Sequence, residues 1–308
     1  MKYKCLIFDL DGTLVNSIHA LTYCTNQALA RFGLGPLTEE QMKTIVGDGY
    51  RMQMRRSLLA CGDRELTHYE AILPVYMEIF GRDCNYKMHA YDGISELLTE
   101  AKKKGLKLAV VSNKPYAQAV ATVEHVFGKG CFDQVIGERE GIPKKPDPTG
   151  ALTAAAAMGA KPSECLYFGD TNTDMQTGKN AKMTTVGVLW GFRGREELAA
   201  FHPEYLSETP EEILRVLEEA DYGKRYAAPH SRRRTARGLR GRRRDCGRCR
   251  RWPAPGAGIG KRLGTFGAPL PGAPAGLDFA GNCAKVSNRQ REIFVPAVWK
   301  EGCQNDKD

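Results

Sequence analysis

The strongest constraint on the fold is a regular alternation of short apolar runs with helical segments after Gly93. The apolar runs cover residues 106–112, 134–137, 165–169 and 184–189. Strands that alternate with helices of about 10–15 residues form a parallel sheet with helices on both faces. An earlier apolar run at 4–10 adds a buried strand. The sequence therefore predicts an α/β fold with a Rossmann-like parallel sheet core.

A long helical stretch interrupts this alternation directly after the first strand. Residues 17–80 carry helical spacing with glycine-containing breaks, and almost nothing in them resembles a strand. We therefore expect an inserted all-helical cap at residues 16–89. The α/β core is then expected to consist of residues 1–15 and 90–222.

The basic character of the chain belongs to its C-terminal tail. The 308 residues carry a formal net charge of +9, but residues 225–308 contain 19 Lys and Arg against 6 Asp and Glu. The remainder, with 26 basic and 30 acidic residues, is mildly acidic. We predict that the Arg-, Gly- and Pro-rich tail, 223–308, is disordered because it cannot bury enough apolar surface. Nucleic-acid binding by residues 232–251 stays open, as does a tail unrelated to the folded part.

Ten cysteines are scattered along the chain without the pattern of a disulfide framework. Cys246 and Cys249 have the spacing of half a zinc site, but Cys283 and Cys303 do not form the second close pair. The N-terminus lacks the regions of a signal peptide, and no apolar run approaches the ~20 residues that span a bilayer. We expect a cytoplasmic protein with no membrane association.

Four polar clusters follow strand ends or precede a helix, and the predicted topology brings them to one edge of the sheet. They are Asp9-Leu10-Asp11-Gly12-Thr13, Ser112-Asn113-Lys114, Lys144-Lys145-Pro146-Asp147-Pro148 and Gly169-Asp170-Thr171-Asn172-Thr173-Asp174. Carboxylates gathered in one cleft repel each other and need a proton or a cation. Oxygen ligands with room for water and phosphate suit Mg²⁺ rather than zinc.

This set of side chains suits phosphoryl transfer. A lysine, a hydroxyl group and a metal ion can surround phosphoryl oxygens with positive charge and hydrogen-bond donors. A carboxylate can attack phosphorus and form a covalent intermediate. Two aspartates on one turn, such as Asp9 and Asp11, can divide the roles of nucleophile and acid–base group.

The motifs DLDGT, VVSNK, KKPDP and GDTNTD, in this order and spacing, resemble the four motifs of the haloacid dehalogenase superfamily. The helical insert resembles the type-1 cap of that superfamily. Residues 187–198 (GVLWGFRGREEL) resemble the C-terminal signature of its phosphoglycolate phosphatase-like subgroup. The resemblance implies a Mg²⁺-dependent phosphomonoesterase that acts on a small phosphorylated metabolite through an aspartyl-phosphate intermediate.

The same resemblance implies roles for the first and fourth motifs. Asp9 is the expected nucleophile, and Asp11 is the expected general acid and then general base. Asp9, the backbone carbonyl of Asp11 and Asp170 are the expected Mg²⁺ ligands. Asp174 is expected to tune the metal-bound waters without binding the metal, although an N-cap of the following helix is an alternative. Because a dehalogenase has no alcohol to protonate, Asp11 disfavours C–halogen hydrolysis.

The second and third motifs are expected, by the same resemblance, to hold the phosphate. Ser112, Asn113 and the backbone N–H of Gly12 are the expected donors to the phosphate oxygens. Lys145 is expected to contact both the phosphate and Asp9. Ser112 is also a candidate helix N-cap, a role compatible with phosphate binding.

Substrate specificity is expected to come from the cap. The loop at 46–49, which contains Gly47 and Gly49, resembles the glycine-rich substrate loop of the family's caps, and Arg51 follows it. A basic residue here, such as Arg51, Arg55 or Arg56, could pair with a substrate carboxylate like that of phosphoglycolate. The alternative is that these arginines form a solvated helix face.

Other activities share the four motifs and stay open. A phosphomutase of the β-phosphoglucomutase kind returns the phosphoryl group to a sugar instead of to water. A nucleotidase or a pyrophosphatase is also compatible with the motifs. The sequence does not choose between a monomer and a homodimer.

Overall fold

The computed structural model describes residues 2–226, and in the last helix only the side chains up to Glu218. The strands within this part are β1 Cys5–Phe8, β2 Val15–Asn16, β3 His89–Ala90, β4 Lys107–Pro115, β5 Gln134–Glu138, β6 Cys165–Gly169, β7 Thr184–Val188 and β8 Tyr205–Ser207. The α-helices are α1 Ile18–Ala30, α2 Glu39–Ile45, α3 Tyr50–Ala60, α4 Tyr69–Asp83, α5 Ile94–Lys103, α6 Tyr116–Phe127, α7 Thr149–Ala157, α8 Asn172–Asn180, α9 Arg195–Ala199 and α10 Pro210–Tyr226.

Six of these strands form one sheet in the order β5-β4-β1-β6-β7-β8, and every neighbouring pair is parallel. The first strand lies in the middle, where Leu6 pairs with Leu108 on one side and Leu166 on the other. Because the strands are parallel, the carboxyl ends of β1, β4 and β6 meet at one edge of the sheet.

Helices cover both faces of this sheet. Leu6 and Phe8 pack with buried residues of α5, α6 and α10 on one face, whereas Cys5 and Ile7 pack with alanines of α7 on the other. This division follows from the strand geometry, in which successive side chains point to opposite faces. The predicted α/β class, with helices on both faces of a parallel sheet, is confirmed.

The helices α1 to α4 form a cap with an apolar core of its own. Its largest fully buried side chains include Leu29, Met42, Tyr76 and Phe80. The short strands β2 and β3 pair antiparallel where the chain enters and leaves the cap. Two crossings of the chain therefore connect the cap to the core.

The structure also departs from the sequence-based expectations. Strands β2, β3 and β8 were not predicted, since two or three residues carry no readable alternation. Helix α10 continues to Tyr226, so the expected boundary at residue 222 falls inside a helix. The tail at 227–308, with Cys246 and Cys249, lies outside the described residues. Among the residues described, no helix is long and apolar enough to cross a membrane.

Candidate active site

The residues predicted from strand ends converge at the edge of the sheet where β1, β4 and β6 end. Asp9 follows β1 and Asp170 follows β6, while Lys145 precedes α7. Asp9, Ser112, Asn113, Lys145, Asp170 and Asp174 are all buried. The spatial clustering of the four motifs therefore follows directly from the parallel topology.

Lys145 lies between two carboxylates. Its Nζ is 2.7 Å from Asp174 Oδ1, to which it donates a hydrogen bond, and 2.7 Å from Asp9 Oδ1. The contact with Asp9 is close enough for an ion pair, but it is not aligned as a hydrogen bond. Burial disfavours the charge on Lys145, yet Asp174 and Asp9 outweigh that effect and hold its pKa well above the usual value.

Burial and neighbouring carboxylates raise the pKa values of Asp9 and Asp170. Desolvation, followed by the charge of Asp174, raises the pKa of Asp9 from 3.8 to about 7, although Lys145 acts in the opposite direction. Desolvation and the charges of Asp174 and Asp9 likewise hold the pKa of Asp170 well above its ordinary value. Full ionisation of these carboxylates is therefore unfavourable unless a cation binds beside them.

Asp170 is held from two sides. Thr13 Oγ1 donates to its Oδ1 at 3.1 Å, and the backbone N–H of Phe192 donates to its Oδ2 at 2.8 Å. Gly12 packs directly against it, because a Cβ at Gly12 would lie 2.3 Å from Asp170 Oδ2. The positive φ of Gly12, +87°, adds a second reason for glycine at this position.

The backbone N–H of Gly12 has a different partner from the expected one. It donates to the carbonyl oxygen of Val15 at 3.0 Å, within the turn that follows β1. This bond competes with the expected donation to a phosphate. In this structure Gly12 contributes through its lack of a side chain beside Asp170.

Asp174 is not the N-cap of α8. That helix begins at Asn172, and Thr171 is its N-cap, with Asp174 completing a reciprocal capping box. Asp174 Oδ2 accepts from Thr171 Oγ1 at 2.6 Å while its Oδ1 accepts from Lys145. Both oxygens are thus engaged by protein donors, which fits a residue that orients Lys145.

Asn113 lines the cleft, and its side-chain amide already has protein partners. Its Oδ1 accepts from the Lys145 N–H at 2.9 Å, and its Nδ2 lies 3.2 Å from the carbonyl oxygens of Lys145 and Gly47. Asn113 therefore fixes the Lys145 loop and joins it to the cap. Ser112 Oγ accepts from the Lys114 N–H at 3.2 Å, and α6 begins only after Pro115, so Ser112 does not cap that helix.

Further contacts hold the cap loop at 46–49 against the core. Thr173 Oγ1 donates to Asp48 Oδ1 at 2.9 Å. The guanidinium of Arg193 donates to the carbonyl oxygens of Val46, at 2.9 Å, and of Lys43. These contacts close the cap over the sheet edge. Arg193 was not among the predicted site residues, although the run at 187–198 that contains it was singled out.

The resulting cleft is lined by both domains. Its lining consists of Asp9, Asp11, Leu21, Val46, Gly47, Gly49, Tyr50, Gln53, Tyr76, Phe80, Ser112, Asn113, Lys114, Pro115, Lys145 and Phe192. Gly47 and Gly49, from the cap, are among these lining residues. Arg51 is exposed and does not line the cleft, because it lies on the outer side of α3 and its guanidinium stacks over Tyr50.

The acidic cluster suits a divalent cation. Ligand oxygens of Asp9, Asp170 and Asp174 lie within 4.8 Å of one another, and all three residues are buried. With Asp11 included, the site has four carboxylates, and within residues 2–226 their paired cations are Lys145 and Lys114, so the fully ionised site would lack two positive charges. Asp174 accepts hydrogen bonds from Lys145 and Thr171, and Asp170 accepts from Thr13 and from the Phe192 N–H. A carboxylate oxygen that accepts one such bond keeps a lone pair for a cation.

Comparison with known proteins agrees with this geometry. The family model of the haloacid dehalogenase-like hydrolases matches residues 6–188, more than half of the chain, and the protein belongs to this family. It is a phosphatase hydrolase, as its relatives and its fold together show. Phosphatases of this family generally depend on a metal ion, which the acidic cluster is suited to hold.

Individual relatives are similar over about two thirds of the chain or slightly more. A phosphoglycolate phosphatase of Rhodospirillum rubrum is 33% identical over 64% of this chain and 83% of its own length. Pyrophosphatase PpaX of Listeria innocua is 30% identical over 71% of this chain and 99% of its own. The crystal structure of a predicted phosphoglycolate phosphatase from Haemophilus somnus has a TM-score of 0.66 at 24% identity, over 70% of this chain and 99% of that one, which shows the fold.

Proposed function

We propose that the protein is a Mg²⁺-dependent phosphomonoesterase that acts through an aspartyl-phosphate at Asp9. The observation that carries the proposal is the pairing of buried Asp9 with Lys145 at the floor of a cleft, with Asp11 beside it. A carboxylate held this way is a candidate nucleophile, because the adjacent ammonium opposes the rise in pKa that burial causes, and a bound cation would lower the pKa further.

The residues of the chain divide the chemistry between them. Asp9 attacks the phosphorus atom, and Asp11 donates a proton to the oxygen of the departing alcohol. Asp11 then removes a proton from the water that attacks the phosphorus atom, so that phosphate is released and Asp9 is regenerated. Lys145 offsets the charge on the phosphoryl oxygens and on Asp9 throughout, and Ser112 supplies a hydroxyl donor nearby.

Magnesium is the ion that fits the proposal. Asp9, Asp170 and the backbone carbonyl of Asp11 would hold it, with Asp174 outside the direct ligands. An oxygen-only ligand set of few carboxylates suits Mg²⁺, which keeps several waters. Bound there, the ion supplies positive charge to the phosphoryl oxygens.

Phosphoglycolate is the substrate that we place first, since phosphoglycolate phosphatases are similar to about two thirds of this chain. Pyrophosphate is the second candidate, because a pyrophosphatase is nearly as similar. Turnover of phosphoglycolate, pyrophosphate and a panel of other phosphate esters with Mg²⁺ tests this order of substrate preference. Comparable turnover of many sugar phosphates, with no preference for phosphoglycolate, would rule out phosphoglycolate as the specific substrate. Formation of an isomerised sugar phosphate without release of phosphate would indicate a mutase.

The proposal includes a cytoplasmic location and a monomer or homodimer. The cysteines described by the structure, Cys5, Cys24, Cys61, Cys84, Cys131 and Cys165, are all free thiols. Free thiols are the usual state in a reducing compartment. Cell fractionation tests the location, and light scattering of the purified chain tests the oligomeric state.

A further inference from the structure

Lys114 is a buried cation to which the motif resemblance assigns no role. It lies near the end of β4, its side chain is 1% exposed, and its Nζ is 3.0 Å from Asp11 Oδ1. It also lines the cleft. Lys114 therefore stands beside the carboxylate that serves the leaving-group oxygen, whereas Lys145 stands beside the nucleophile.

The surroundings of the Lys114 ammonium are largely apolar. Its Nζ lies 4.9 Å from the ring centroid of Phe80 in the cap, and that ring stacks on Tyr76 at 5.2 Å. An ammonium has three N–H donors, and among the hydrogen bonds of the described residues Asp11 is its single acceptor. Spare donors in a poorly hydrated place favour a second anionic partner.

Other cations near the cleft are already engaged. Lys145 is shared by Asp9 and Asp174, and Lys144 pairs with Glu138 at 2.8 Å. In the cap, Arg56 pairs with Asp48 and donates to the carbonyl oxygen of Ile45. The cap side of the cleft, as far as the structure describes it, thus consists of apolar, aromatic and uncharged polar residues.

We propose that Lys114 binds a second anionic group on the leaving group of the substrate. The substrate class is then a phosphate ester or anhydride whose leaving group carries a carboxylate or phosphate close to the bridging oxygen. This inference rests on the proposed phosphatase function and deepens it. It assigns recognition of that anion to the core strand β4 instead of to the arginines of the cap.

The test compares substrates that differ in this one charge. Phosphoglycolate and 2-hydroxyethyl phosphate share the phosphate and the two-carbon leaving group, but only phosphoglycolate has the carboxylate. We expect wild-type kcat/KM to favour phosphoglycolate by about tenfold to hundredfold, the range for one hydrogen-bonded charge pair. Lys114→Gln and Lys114→Met should bring that ratio close to one. Pyrophosphate is assayed in parallel with the same variants. The substrate whose kcat/KM falls more in the Lys114 variants, phosphoglycolate or pyrophosphate, identifies whether a carboxylate or a phosphate is the natural anion.

Two control variants separate this role from its rivals. Lys103→Gln removes an exposed lysine of α5 and should keep the wild-type ratio. Arg51→Gln should also keep it, and a collapsed ratio in that variant would assign the anion to the cap and overturn the inference.

The outcomes for Lys114 itself are equally distinct. Equal losses for phosphoglycolate and 2-hydroxyethyl phosphate in the Lys114 variants would mean that Lys114 acts only on Asp11, which refutes the inference alone. In the wild type, a ratio near one together with no preference for pyrophosphate over 2-hydroxyethyl phosphate refutes it without any variant, so the test does not depend on how the variants fold. Absence of turnover of every phosphate compound in the wild type would refute the proposed function together with the inference.

Discussion

Burial of Asp9 predicts a pH-dependent loss of stability in the metal-free protein. The pKa of Asp9 is raised from 3.8 to about 7 in the fold, so the folded state favours the protonated form. Its contribution to stability is complete below pH 3.8 and is lost as the pH rises through about 7. A shift of about three pKa units corresponds to about 4 kcal/mol, of which about 2–3 kcal/mol is lost between pH 5 and pH 8.

Asp9→Asn removes this titration, because an amide does not ionise. We expect urea unfolding in EDTA to show that the unfolding free energy of the wild type falls between pH 5 and pH 8 by about 2–3 kcal/mol more than that of Asp9→Asn. Saturating Mg²⁺ should then stabilise the wild type at pH 8 by about 2.7 kcal/mol at a hundred times its Kd, and the variant much less. If the unfolding free energies of the two proteins depended identically on pH, the raised pKa of Asp9 would be refuted.

Three substitutions test other parts of the site. Gly12→Ala places a Cβ against Asp170 at positive φ, so activity titrated against Mg²⁺ should show about 10–100-fold weaker apparent affinity; unchanged affinity would contradict the packing argument. Lys145→Met leaves two buried carboxylates without their shared cation and should lower the unfolding free energy in EDTA by about 3–5 kcal/mol; a more stable variant would contradict this. Arg193→Gln removes two hydrogen bonds to the cap and should lower kcat/KM about tenfold, whereas the exposed control Arg195→Gln should not; equal effects would argue against cap closure by Arg193.

The sequence predicted the fold class because each strand end is marked by polar residues after an apolar run. Asp9 and Asp170 could be placed together for that reason, since parallel strands deliver their carboxyl ends to one edge. The capping box between Thr171 and Asp174 was also readable, as Thr followed three residues later by an acidic residue is a known helix-start pattern. The N-cap alternative for Asp174 overlooked this signal.

Contacts between distant parts of the chain were not predictable in the same way. Lys114 meets Asp11 across 103 positions, and Arg193 meets Val46 across 147. Periodicity and local motifs carry no information on such pairs. Asn113 illustrates the same limit, because its amide looked available to phosphate until the structure showed it bonded to the Lys145 loop and to Gly47.

The central claim is that Asp9 carries the phosphoryl group. The most direct test is borohydride reduction of the enzyme during turnover of phosphoglycolate with Mg²⁺, followed by peptide mass spectrometry. Reduction of an acyl phosphate at Asp9 converts that residue to homoserine, and the account predicts this product only when substrate is present. Asp9→Asn should show neither the product nor turnover. Homoserine at another aspartate, or Mg²⁺-dependent turnover that persists in Asp9→Asn, would contradict the account.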